Sequence, residues 1–159
     1  MSLSMLLALG YPLGGFIGMC GYLPFQADLD EAIIDEETEK DEYDPFANSD
    51  TDDESKSKAK DPAFKTLIFE RDLLSLPPVS SPTRSNTAQA TPIFLGHGDV
   101  DEKVPYKLGE AAARTLRAAG YEVAWNLYQN QGHWYKIPEE IDDIVDFIQT
   151  RAGWAVSQE

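Results

Sequence analysis

From Thr91 onward the sequence alternates strand-like and helix-like patterns, and this alternation limits what the chain can fold into more than any other feature. "TPIFLGHG" is a short apolar run ending in glycine, the pattern of a strand buried on both faces. "VPYKLGEAAARTLRAAG" follows, with Leu108, Ala112, Leu116 and Ala119 at helical spacing and Gly120 as a C-terminal stop. "YEVAWNLYQ" predicts a second strand. "PEEIDDIVDFIQTRAGW" predicts an amphipathic helix with Pro138 near its first turn, acids early and Arg151 late. Strand, helix, strand, helix makes a right-handed parallel crossover. The predicted fold class is therefore α/β, a parallel sheet flanked by helices, with ligands expected at the carboxyl ends of the strands.

Residues 1–27 carry no charge, which raises the reading of a signal peptide or a membrane span. A signal peptide needs a basic segment before its apolar stretch, and none is present. A spanning helix needs about 20 unbroken apolar residues, but Gly10, Pro12, Gly14, Gly15, Gly18, Gly21 and Pro24 interrupt this run. The pattern predicts a short helix over Leu3–Leu9, a Gly/Pro turn and a buried strand near Phe16–Cys20. No transmembrane segment is expected.

Charge is unevenly distributed. Of 28 acidic residues, fifteen fall between Asp28 and Asp61 against four lysines, so one segment carries most of the formal net charge of −15. No Lys/Arg cluster exists to neutralise phosphates, which argues against nucleic-acid binding. Residues 28–90 are expected to be a low-complexity insertion, acidic and then Ser/Pro-rich, too poor in large apolar residues to offset its ordering entropy. Within it, "AFKTLIFERDLLSL" regains a helical spacing and predicts a short helix over 63–76. The lone cysteine, Cys20, excludes an internal disulfide and fits a reducing, cytoplasmic setting.

Two polar clusters fall just past the carboxyl ends of the predicted strands. "GDVDEKVP" follows the first and "NQGHWY" follows the second. An acid after one strand and a Gly-His after a nearby strand is how an α/β hydrolase places the aspartate and histidine of its triad. The carboxylate holds the imidazole tautomer, and the other ring nitrogen takes the nucleophile's proton. Gly98, Asp101, Val104 and Pro105 satisfy G-x-x-D-x-x-V-P, which favours Asp101 over Asp99 as the acid, with His133 as the base. A metal site from His97, Asp99, Asp101 and His133 is chemically allowed, but these residues show no ligand-spacing motif. His97 reads as a strand-end histidine bonded to backbone. Trp125, Trp134 and Trp154 read as packing residues, with Trp134 beside the base also placed to line an acyl pocket.

"LLALGYPLGGFIGMCGYLPF", "TPIFLGHGDVDEKVPYKLGEAAARTLRAAGYEV", "YQNQGHW" and "IDDIVDFI" together resemble the carboxyl-terminal half of the phospholipase/carboxylesterase family, which includes the acyl-protein thioesterases. The resemblance covers residues 1–27 and 91–152 and implies a partial α/β-hydrolase domain interrupted by the insertion. It implies a serine hydrolase of esters and thioesters, with Asp101 and His133 catalytic and no metal or cofactor. The implied substrate is an acyl ester or thioester, including one on a lipidated protein. The family's G-x-S-x-G nucleophile elbow belongs just before the helix at Leu3–Leu9, and this sequence contains no such motif. Ser2 and Ser4 lack the flanking glycines, and "GMCGY" around Cys20 lacks the second glycine of an elbow. The chain as it stands is expected to be inactive. The alternative reading is a non-catalytic interaction protein working through the acidic insertion.

Overall fold

The computed structural model describes residues 2–34, 61–79 and 87–154. The acidic stretch 35–60, and with it the reading of that stretch as disordered and partner-binding, lies outside the described residues, as does 80–86 of the Pro/Ser/Thr linker. In chain order the elements are α1 (Ser2–Leu7), β1 (Phe16–Met19), α2 (Gln26–Ile34), α3 (Pro62–Leu73), β2 (Ile93–Gly98), α4 (Tyr106–Ala118), β3 (Val123–Tyr128) and α5 (Glu139–Thr150).

The three strands form one parallel sheet in the order β1-β2-β3. Phe16 pairs with Ile93, and β2 runs beside β3 from Ile93↔Val123 to Gly98↔Tyr128. All six β2 residues, His97 included, are buried, as its short apolar run predicts. Ile93 and Leu95 enter a core with Ala112, Ala113 and Leu116 of α4 and with Leu3, Leu6 and Leu7 of α1. On the opposite face Phe94 meets Phe147 of α5, ring centroids 5.6 Å apart. β1 is not the fully buried strand the sequence suggests: Ile17 and Met19, which share one face of the strand, are exposed, so among the described residues that face is left uncovered.

Three local expectations are corrected. Asp28–Ile34, read as part of the disordered acidic stretch, lies in α2. Leu29 and Ile33 sit one helical turn apart and are buried, and Asp28 lies in the first turn, where the helix dipole favours an anion. Thr115 of α4 donates to Asp30 at 2.6 Å and accepts from Gln26 at 3.0 Å, tying α2 to the core. The helix predicted over 63–76 spans Pro62–Leu73. It is capped by Asp61, whose carboxylate accepts from the Ala63 amide, and it docks through the wholly buried Ala63 and Leu67. In α4 the buried stripe is Gly109, Ala112, Ala113 and Leu116, and Leu108 faces solvent. No helix among the described residues is long and apolar enough to cross a membrane.

Candidate active site

Asp101 lies three residues past the end of β2, in a turn closed on itself. Its Oδ1 accepts from the amides of Lys103 at 2.8 Å and Val104 at 3.0 Å. Its Oδ2 accepts from His133 Nδ1 at 2.8 Å, with the Asp101 side chain wholly buried. Burial alone pushes this carboxyl up. The Val104 amide, the bond to His133 and the Lys103 amide outweigh burial, and the group is lowered to about 2. Asp101 is therefore a carboxylate at neutral pH and only an acceptor, so His133 carries its proton on Nδ1. Nε2, which has no hydrogen bond among the described residues, presents a lone pair from a ring about one-third exposed.

The loop that carries His133 is held against the end of β2. The Asp99 amide donates to Tyr128 O at 3.0 Å, and the Val100 amide to Gln131 O at 3.1 Å. Asp99, the acid not favoured by the sequence motif, accepts from the Gln131 amide at 3.4 Å and makes no contact with His133 among the described residues. Gly98 is required by this approach: a Cβ there meets the carbonyl oxygens of Gln131 and Gly132. Beyond His133, the Lys136 amide donates to Glu140 Oε2 at 2.9 Å, and the Glu140 amide donates back to Lys136 O at 3.0 Å. This closes the loop onto α5. Burial pushes the Glu140 carboxyl up, opposed chiefly by the Lys136 amide.

Two further residues join the site: His97, weighed from the sequence only as a metal ligand or a strand-end histidine, and Cys20, which sequence reasoning did not place there. His97 is buried at the end of β2, with Nε2 at 2.8 Å from Val104 O and 3.2 Å from Asp101 Oδ2. The expectation of a strand-end histidine bonded to backbone describes its first contact and misses its second. Cys20, just past the end of β1, has its Sγ within 4.8 Å of the His97 ring and the Asp101 carboxylate. No sequence signal links position 20 to position 101, since only the strand register brings them together. Burial, then the Asp101 charge, push the Cys20 thiol up against the opposing Gly98 hydrogen bond, so it stays protonated.

Cys20, His97 and Asp101 supply three donor atoms in one place, a set different from the one with Asp99 weighed from the sequence. The chemistry of this set does not suit a metal. His97 Nε2 must bear hydrogen to bond the Val104 carbonyl oxygen, so it offers no lone pair toward the other two donors. Of the three tryptophans read as packing residues, Trp125 packs against the core, whereas Trp134 and Trp154 are largely exposed. Trp134 stacks on Tyr135 beside His133, ring centroids 5.7 Å apart.

The sequence profile described as Phospholipase/Carboxylesterase matches residues 54–152, more than half of the chain. That match begins inside the stretch read as an insertion and leaves residues 1–27 outside it. Acyl-protein thioesterase 1 of Gibberella zeae is 38% identical over 68 residues, 43% of this chain and 28% of the relative. Its counterpart in Neurospora crassa is 44% identical over 61 residues, 38% and 24% of the two chains. The match to the Saccharomyces cerevisiae protein of the same name is 32% identical over 79 residues, 47% and 34%. The matched segments thus span about a third or less of these relatives. Arabidopsis thaliana SOBER1 superposes with a TM-score of 0.54 at 20% identity, over 94% of this chain and 47% of that one. Esterase PE8 superposes with a TM-score of 0.55 at 18% identity, over 95% and 45%. At these identities the two structures speak for the α/β-hydrolase fold alone.

Proposed function

Because this chain belongs to the phospholipase/carboxylesterase family, we propose that it carries the acid and base of an ester- or thioester-cleaving active site, with Asp101 as the orienting acid and His133 as the general base. The observation that carries this reading is the 2.8 Å contact between His133 Nδ1 and a buried, backbone-held Asp101 carboxylate. In this reading Asp101 fixes the Nδ1–H tautomer, so that Nε2 accepts the proton of an attacking hydroxyl and Asp101 stabilises the imidazolium that forms. His133 then returns the proton to the leaving alcohol or thiol.

The hydroxyl is the missing part. No serine in these 159 residues sits in a G-x-S-x-G context, and Cys20 does not replace it, being held as a thiol. Loss of the nucleophile in a serine hydrolase costs about 10⁶ in rate, so this chain alone is proposed to be inactive. The thioesterase names of the relatives support an acyl ester or thioester as the substrate class, with a lipidated protein as one form of it. The exposed Trp134 and Tyr135 beside His133 offer an apolar surface for the acyl portion. A cytoplasmic setting, and assignment of 1–27 and 91–152 to one hydrolase domain, belong to the same proposal.

The test is to read the transcript upstream of Met1 for an in-frame G-x-S-x-G and to assay that longer product on a short-chain p-nitrophenyl ester. Hydrolysis abolished by His133→Ala supports the assignment. Hydrolysis that His133→Ala leaves untouched overturns it.

A further inference from the structure

We infer that His97 is a positioning residue for the acid–base pair, a second imidazole that fixes Asp101 Oδ2 toward His133 from the buried side. This inference rests on the reading of Asp101 and His133 given above. Oδ1 is pinned by two backbone amides, so the remaining freedom of the carboxylate is the direction of Oδ2. That oxygen has His133 on one side at 2.8 Å and His97 on the other at 3.2 Å. Both the His97 and the Asp101 side chains are wholly buried, so no water competes for the contact.

The tautomer of His97 follows from its partners. Val104 O only accepts, so Nε2 carries the hydrogen and donates it to that carbonyl, leaving the positive N–H edge of the ring 3.2 Å from Asp101 Oδ2 as an electrostatic contact. Nδ1 is then a bare lone pair, buried without a hydrogen-bond partner. The ring is held by shape on that side. Gly109 of α4 lies against it, and a Cβ there stands 2.6 Å from Nδ1 and 2.9 Å from the Trp125 ring. Trp125 itself packs across the imidazole at 6.0 Å between centroids. A glycine inside a helix costs about 1 kcal/mol relative to alanine, and here it opens the space that lets the ring lie under the turn. The same ring braces the turn from below through Val104 O, whose own amide bonds Oδ1. His97 therefore touches both ends of the device that aims the carboxylate. The other titratable groups around it are Cys20, from the end of β1, and Glu140, from α5.

The full 159-residue chain tests this by NMR. Its histidines number two, so ring ¹⁵N signals are assigned by single substitutions, and the Asp101 carboxyl is followed by ¹³C titration. His97→Phe keeps a ring and removes the donor. The Asp101 acid midpoint is expected to rise by about one pH unit, and His97→Gln, which keeps an N–H near the Nε2 position, restores most of the shift. An unchanged midpoint in His97→Phe overturns the inference. If that variant does not fold, Gly109→Ala displaces the ring with its chemistry intact and is expected to raise the midpoint in the same direction, and no change there overturns the inference equally. Asp101→Asn separates this inference from its premise. If Asp101→Asn leaves the His133 ring signals unmoved, the acid–base pairing fails. If Asp101→Asn moves them while His97→Phe leaves Asp101 unaltered, only the role of His97 fails.

Discussion

Replacing Asp101 with asparagine removes a charge while keeping size and one oxygen acceptor for the Lys103 and Val104 amides. The folded protein lowers the Asp101 carboxyl from an ordinary 3.8 to about 2, a difference worth about 2 kcal/mol of stability when the side chain is wholly buried. Because the folded value lies below the unfolded one, that stabilisation is fully present above about pH 4. It declines as pH falls toward about 2 and is gone below that. Asp101→Asn is therefore expected to lose about 2 kcal/mol at pH 7 and almost nothing relative to wild type at pH 2. Urea denaturation followed by tryptophan fluorescence at a series of pH values measures this gap. Burial pushes the carboxyls of Glu70 and Glu140 up, so they act in the opposite sense, but both proteins contain them and they cancel in the difference. A gap that is the same at pH 2 and pH 7 refutes the reasoning, because the loss then comes from packing and not from the charge.

Three further outcomes are expected. Gly98→Ala places a Cβ against the Gln131 and Gly132 carbonyls and should cost about 1–3 kcal/mol in chemical denaturation, with the His133 ring signals displaced; wild-type stability counts against the tight seating of that loop. Phe147→Ala empties the contact with Phe94 beneath the sheet and should cost about 3–5 kcal/mol, read from the shift in urea midpoint. Cys20, buried and held as a thiol, should react with a thiol reagent at pH 8 far more slowly in the folded chain than in urea. Equal rates would show the site open to solvent.

The sequence was most readable where one residue type has one physical use. The run Ile93–Gly98, apolar except for His97, forms the doubly covered central strand, and His97 meets its polar need inside the protein. The G-x-x-D-x-x-V-P spacing puts Asp101 where the Val104 amide bonds its carboxylate. The pairing with His133 across 32 residues was legible because both residues follow adjacent parallel strands. α2 was hidden because the acids of "QADLDEAII" dominate its average composition, while the fold depends on two of its apolar positions, Leu29 and Ile33. Leu108 was misplaced by one position. The buried stripe begins at Gly109, whose value lies in having no side chain, and no hydrophobic pattern registers that. The second contact of His97 and the presence of Cys20 depend on a loop carbonyl and on strand register, neither of which is written in local sequence.

The register Gly98↔Tyr128 has a mechanical meaning. Together with the pairing Ile93↔Val123 it makes residues 99–122 a closed excursion whose two ends are fixed by the sheet, so the separation of Asp101 from His133 does not depend on how much chain the excursion contains. Only two short tethers set that separation: three residues from Gly98 to Asp101, and five from Tyr128 to His133. Added turns at the far end of α4 leave the Asp101–His133 contact where it is, whereas deleting one residue from either tether pulls the two side chains apart. The contact is thus insulated from length variation over most of the chain that separates its members and sensitive to it at a few positions beside the sheet.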